Sequence, residues 1–282
     1  MYHHNNVSSL WKEFNYVRNE KLIKSANIIE YDISRANITM LRKYGYLDDE
    51  LYNYLSRLPK SDREEFIGKM IRDTDTDIYD IIRKGITEAK KQFFEQNQIQ
   101  NDEVVRIAND AVYVNRPGPI LNCQFDDVTF VPKHQYTTFL KLQNLLVFFY
   151  IGQNEFVDID IIGMKEDTMV LHQEYLLSFI VQFLIQIERS PIDDVIGGFQ
   201  EFYSDYLSLK LPVPYYREFN SQSYFKIKNS GWRLSYYDGD PKNLDIGYNV
   251  SILRDIYSAL LELWEGGRRI NYDFRSSSTT NL

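Results

Sequence analysis

The sequence predicts an α+β protein built on antiparallel sheet, and three observations carry that prediction. Apolar residues recur at helical spacing in blocks before residue 100 and again after about residue 165. Between them lies a run of short segments rich in Val, Ile, Phe and Tyr, bounded by turn residues. Helices and strands therefore come largely in separate runs, which is the pattern of an α+β layout.

Taken in order, residues 7–24 read as an amphipathic helix, with Leu10, Trp11, Phe14, Val17 and Leu22 near helical spacing. Ile28–Ile33 reads as a short strand with Asp32 close to its end. Residues 36–58 read as helical turns broken at Gly45, and Pro59 stops that run. Ser61 and Glu64 have capping-box spacing for a helix through Arg72. Asp73 to Asp77 form a polar interruption, and Ile78–Glu95 is a strong helix with Ile78, Ile82, Ile86 and Phe93 on one face. Val104–Ala108 and Ala111–Asn115 read as strands joined at Asn109-Asp110, a pair that tolerates the left-handed backbone of a tight turn. After Pro117-Gly118-Pro119 come strands near Val128–Val131, Thr138–Lys141, Leu145–Tyr150 and Phe156–Ile162. The pattern is helical from Glu166 through Ile187 and again over Ile192–Leu209, loop-rich over 211–243, and helical over Ile246–Trp264. The expected organisation is an α+β part over 1–165, a mainly helical part over 166–275, and a frayed tail over 276–282.

The 282 residues are ample for a core, and the 44% apolar content is in the globular range. Cys123 is alone, so an internal disulfide or a cysteine cage for zinc is excluded, and no histidine pair has metal-ligand spacing. Trp11, Phe14 and Tyr16 are interleaved with charges, unlike the apolar core of a signal peptide. The most apolar stretches, 145–151 and 175–187, are too short to span a bilayer, which takes about 20 residues. The expectation is a cytoplasmic protein without membrane attachment. A net charge of -8 argues against a simple polyanion binder, and the 22 Tyr and 17 Phe are expected to fill a large core. The Asn-, Ile-, Tyr- and Lys-rich usage suggests an AT-rich, viral genome, which would make the location the host cytoplasm.

Two acidic residues stand where chemistry could occur. A carboxylate at a strand end and another at the tip of a neighbouring hairpin can converge on hard divalent cations, as two-metal phosphoryl transfer requires. Asp32 and Asp110 have those positions. Taken singly, Asp32 reads more readily as a helix cap and Asp110 as a turn residue.

Together and in order, the segments resemble the palm of template-dependent DNA polymerases. Asp32-Ile33-Ser34-Arg35-Ala36-Asn37-Ile38-Thr39 resembles the first palm motif of families A (Asp-Tyr-Ser-x-x-Glu) and B (Asp-x-x-Ser-Leu-Tyr). Asn109-Asp110-Ala111-Val112-Tyr113-Val114 resembles their catalytic hairpin, and Lys69-Met70-Ile71-Arg72-Asp73-Thr74 loosely resembles the family B fingers motif. Asp160 to Met164 looks like the family B strand that follows the hairpin, and Asp245-Ile246-Gly247-Tyr248 onward looks like a thumb pattern. The resemblance runs from about residue 28 to 265. It implies an antiparallel-sheet palm with fingers-like helices over 36–95 and a helical thumb-like C-terminal part. It further implies Mg²⁺ or Mn²⁺ held by Asp32, Asp110 and the Ile33 carbonyl, with Lys69 and Arg72 on a triphosphate. Asn37 stands where both families place a larger residue that excludes ribose. The substrates implied are deoxynucleoside triphosphates and a primed nucleic-acid template.

The sequence departs from the families in ways that matter. The interval from Asp32 to Lys69 is far shorter than a fingers insertion, Ala108 replaces the first hairpin Asp of family B, and Asp73 replaces the fingers Asn. A chain so reduced is expected to work within a complex of other protein subunits, with Tyr215, Tyr216, Phe219 and Tyr224 as candidate contacts. A catalytically silent relative, or an unrelated α+β interaction protein, are the alternatives. Among the remaining motifs, Asp73, Asp75 and Asp77 read as a solvated loop. Lys90-Lys91 reads as a charged helix face, and Gly266 to Arg269 as a helix stop with a basic pair.

Overall fold

The computed structural model describes residues 7–73, 77–152, 157–219 and 224–276. Thr74, Asp75, Phe156 and the tail beyond Ser276, all named above, lie outside them. In chain order the elements are β1 (Asn15–Val17), β2 (Leu22–Ile23), β3 (Ile28–Ile33), α1 (Ala36–Lys43), α2 (Asp49–Arg57), α3 (Lys60–Asp73) and α4 (Ile78–Gln96). There follow β4 (Val104–Ala108), β5 (Ala111–Asn115), β6 (Gln124–Phe125), β7 (Val128–Tyr136), β8 (Thr138–Leu142), β9 (Leu145–Ile151) and β10 (Val157–Ile162). The remainder is α5 (Glu166–His172), α6 (Leu176–Arg189), α7 (Ile192–Leu207), the short pair β11 (Phe225–Lys226) and β12 (Arg233–Leu234), and α8 (Gly247–Ser276). The α+β class holds. The chain packs as two compact units, Met1–Asn19 with Ala26–Gln135, and Glu20–Ser25 with Tyr136–Leu282. The division therefore falls at 135/136 instead of near 165, because β8–β10 share a core with the helices that follow them.

In the first unit a six-stranded sheet has the order β1-β4-β5-β3-β7-β6. β3 pairs antiparallel with β5, Asp32 opposite Ala111 and Glu30 opposite Tyr113. Alternation along β3 sends Tyr31 and Ile33 into the core and Glu30 and Asp32 to the other face. The core between sheet and helices is aromatic at its centre. Phe93 of α4 stacks on Phe130 with centroids 4.4 Å apart and meets Tyr31 at 5.2 Å, so here the aromatic load is spent on packing. Gly85 lets α4 approach α1: a Cβ there would stand 2.6 Å from Met40 Sδ.

The second unit has a four-stranded sheet, β10-β9-β8-β2, with α6, α7 and α8 around its core. Buried Asn249 donates to the Tyr206 hydroxyl (2.9 Å) and accepts from the Phe219 amide (2.7 Å), fixing the loop-rich segment on α8. Tyr216 and Phe219 are buried, which removes these two from the docking surface the sequence suggested, while Tyr215 and Tyr224 are half-buried against the same core. The exposed aromatics of that stretch are Trp232 and Tyr236. No helix among the described residues is long and apolar enough to cross a membrane.

Three local expectations are corrected. Residues 7–24 hold no α-helix. Their backbone groups are satisfied instead by sheet pairing, β1 on β4 and β2 on β8, with a 3-10 turn at Leu10–Lys12. The Ser61/Glu64 capping box does not form: α3 starts at Lys60, and the Ser61 hydroxyl donates to Asp62 (3.0 Å). Gly266 does not stop α8, which continues to Ser276, since glycine inside a helix costs only about 1 kcal/mol.

Candidate functional site

The site begins with the β4–β5 hairpin. Asn109, at its tip, has φ +54, a left-handed conformation that asparagine tolerates, and its N–H donates to the Phe14 carbonyl at 2.8 Å. That turn sets Asp110 immediately before Ala111, the residue paired with Asp32. The two carboxyls come within hydrogen-bond reach of each other. Asp32 does not cap α1, whose N-cap is Arg35 with φ +51 and no side-chain cap bond. Two residues in left-handed backbone thus flank the pair, and for Arg35, which lacks asparagine's tolerance, the surrounding fold must hold a strain of about 1–3 kcal/mol.

Burial pushes the Asp110 carboxyl up to about 6, and the nearby charge of Asp32 adds to the push. Glu30 is raised as well, chiefly by burial, with Asp32 adding to it and His134 and Lys133 opposing. The cation that answers this acidic cluster is Lys133 on β7, whose ammonium forms an ion pair with Asp32. Burial alone would lower the Lys133 ammonium, but its bond to Asp32 and the charges of Glu30 and Asp110 outweigh it and hold it raised.

Asp32, Asp110 and Lys133 open into a cleft of about 450 Å³ within this unit. Its other polar walls are Arg35 and Asn37 at the start of α1, Lys60, Arg63 and Glu64 on α3, and Arg83 on α4. The cleft wall thus carries five basic side chains against three acidic ones, in a chain of net charge -8. Lys60 is loosely paired with Glu64 (3.7 Å), Arg63 donates to the Leu58 carbonyl (2.9 Å), and the Arg83 guanidinium lies 4.3 Å from the Phe14 ring centroid. Tyr79, largely exposed, stands at the rim.

Of the residues singled out from sequence, Asp32, Ile33, Asn37 and Asp110 all line this cleft. Lys69 and Arg72 do not. Lys69 turns outward to Glu65 at 2.7 Å, and the lining face of α3 is the one bearing Lys60, Arg63 and Ile67. Lys133 lies beyond the strand read at Val128–Val131, because β7 runs on past Pro132 to Tyr136. Lys90 is the largest revision. It is fully buried, where the Lys90-Lys91 pair had read as a solvated face. The signal was its phase, four residues after Ile86 and eight after Ile82 on the apolar stripe of α4.

Hard carboxylate oxygens are the donor chemistry that suits Mg²⁺ or Mn²⁺, and the Asp110 carboxyl is raised chiefly by burial and further by the charge of Asp32. Among the described residues no group of three or more His, Cys, Asp or Glu side chains gathers into a ready-made cage, so a cation here would draw on backbone carbonyl, water or ligand phosphate as well. The fold and cleft are those of an α+β protein with a paired-carboxylate, cation-walled site. The chain belongs to the Bacteriophage PBS1 gene 130 protein family, which matches residues 6–261. The viral expectation holds, and the matching family is a phage family, not a polymerase family. No curated protein matches the chain.

Proposed function

We propose that this phage protein is a reduced, palm-type nucleotidyltransferase that extends a primed nucleic acid within a larger replication complex. The observation that supports the reading is the convergence of Asp32 and Asp110 at one sheet end, facing a cleft walled by Arg35, Lys60, Arg63 and Arg83. Asp32 and Asp110, with the Ile33 carbonyl, would hold Mg²⁺ or Mn²⁺. Such ions, when bound, stabilise the charge on the attacking and leaving oxygens of phosphoryl transfer. The chain's own part is positioning and charge. Lys60 and Arg63, in place of Lys69 and Arg72, neutralise the triphosphate, and Arg83 and Arg35 extend that field along the cleft. Asn37 sits beside the sugar of the incoming deoxynucleotide. With Asp32 on a metal, the Lys133 ammonium would be available to phosphate. The net acidic chain needs partner subunits to supply grip on a polyanion.

A second reading keeps the scaffold without the reaction. The Lys133–Asp32 ion pair favours it, because a resident ammonium already satisfies a carboxylate that a metal would need. Primer extension with Mn²⁺ separates the two. Weak incorporation that Asp110→Asn abolishes, with Mn²⁺ binding lost in Asp32→Asn by calorimetric titration, is the outcome of the first reading. Metal-independent behaviour, identical in wild type and both variants, would leave only the second.

A further inference from the structure

Lys90 is a lysine with no exposed surface, and its hydrogen-bond partners are backbone carbonyls. Its ammonium donates to the Glu13 carbonyl and to the Asn109 carbonyl (3.1 Å), and lies 4.1 Å from the centroid of the Phe14 ring. Placing an ammonium there carries a desolvation cost that two carbonyls and a ring face only partly offset. A methionine or leucine at the same phase of α4 would pack with Ile86 and Phe94 at no such cost. The place of the charge explains its retention. Asn109 is the left-handed residue of the hairpin tip, and its N–H is already held by the Phe14 carbonyl. Lys90 grips the carbonyl of that same residue and the carbonyl just before Phe14. One ammonium therefore ties α4, the segment leading into β1, and the tip that carries Asp110.

We infer that Lys90 is the positioning residue of the cleft, its buried ammonium pinning the β4–β5 tip so that Asp110 is held beside Asp32. The significance of that pinning rests on the proposed role of Asp110; the pinning itself does not. The ammonium also attracts the Asp110 carboxylate through space. The burial of Lys90 lowers its own ammonium to about 8, still charged at neutral pH.

The test is hydrogen exchange read amide by amide, with Mn²⁺ titration beside it, on the whole chain. Lys90→Met keeps the stem and removes the donors; Lys90→Gln keeps an N–H donor without the charge. In Lys90→Met the Asn109 and Asp110 amides should exchange about 10-fold faster, the worth of one hydrogen bond of about 1.4 kcal/mol, while the amides of β5 and α4 keep wild-type rates. Mn²⁺ affinity should fall by a similar factor, and Lys90→Gln should recover the tip protection in part without recovering the affinity. Unchanged exchange at the tip overturns the inference. So does uniform acceleration across the unit, or failure of both variants to fold, since either assigns Lys90 to general stability. Wild type that binds no Mn²⁺ would sink the proposed function, while the exchange arm would still decide on Lys90.

Discussion

The ammonium of Lys133 rests on the carboxylate of Asp32 at the same strand end where Asp110 turns in from the hairpin. Three carboxylates, Asp32, Glu30 and Asp110, together hold this ammonium in its charged form. The pair is partly exposed on the lysine side, which limits its worth to about 1 kcal/mol. On the proposed function Lys133 competes with the metal for Asp32. Lys133→Met should then bind Mn²⁺ roughly fivefold more tightly, the equivalent of about 1 kcal/mol, while its nucleotide affinity falls. Calorimetric titration of both ligands measures the split. Weaker Mn²⁺ binding in the variant would mean that Lys133 organises Asp32 and does not compete for it.

The raised Asp110 carboxyl makes stability depend on pH with a definite sign. Its value moves from 3.8 to about 6 in the fold, so between those values the native state holds a proton that the unfolded chain has released. Stability must fall as pH rises through this window, because the unfolded state binds fewer protons. Asp110→Asn removes the penalty. The variant should be more stable than wild type above pH 6, by roughly 1–3 kcal/mol given about 1.4 kcal/mol per pH unit, and the gain should vanish below about pH 4. Thermal melts across pH 4–8 read it directly, and a gap that does not change with pH would refute the raised carboxyl.

In the second unit Gly163 follows β10 with φ +98, and a Cβ there would meet the Asn144 carbonyl oxygen at 2.5 Å. That oxygen belongs to the β8–β9 turn and cannot swing away as a side chain would. Gly163→Ala therefore combines backbone strain with a steric clash, and should destabilise the protein by about 2 kcal/mol. A urea midpoint equal to that of wild type would show that the turn relaxes freely.

What could be read from sequence follows physical lines. The β4–β5 hairpin and its Asn109-Asp110 tip were legible to the residue because the turn chemistry and the flanking β-branched residues agree. The strand bearing Asp32 was legible for the same reason. Residues 7–24 were misread because their apolar residues suit either period, and the free edges of β4 and β8 decided in favour of strands. Lys90 was misread because a Lys-Lys pair suggests solvent, although only Lys91 faces it. The cleft cations were invisible for a different reason. Arg35, Lys60, Arg63, Arg83 and Lys133 are scattered along the chain, and only the folded α1, α3, α4 and β7 bring them to one wall. Proximity of that kind has no local signal.

The cation wall also gives the most discriminating test of what the cleft receives. Lys60 and Arg63 line it one helical turn apart on α3, whereas Lys69 turns to Glu65 and, like Arg72, is outside the lining. Both pairs sit on one short helix and carry the same formal charge, so long-range effects on a polyanion are nearly matched. The difference between them is contact. If a triphosphate occupies the cleft, each direct cation contributes on the order of 1 kcal/mol to binding, and two contribute roughly 30-fold in affinity. Lys60→Ala with Arg63→Ala should therefore weaken deoxythymidine triphosphate binding in Mn²⁺ by about that factor, while Lys69→Ala with Arg72→Ala should stay within about twofold of wild type. A titration at two ionic strengths separates contact from general field, since only the second fades over a Debye length of about 10 Å at 0.1 M salt. Equal losses in the two double variants would show that the helix acts only through its net charge, and the cleft would lose its claim to the triphosphate.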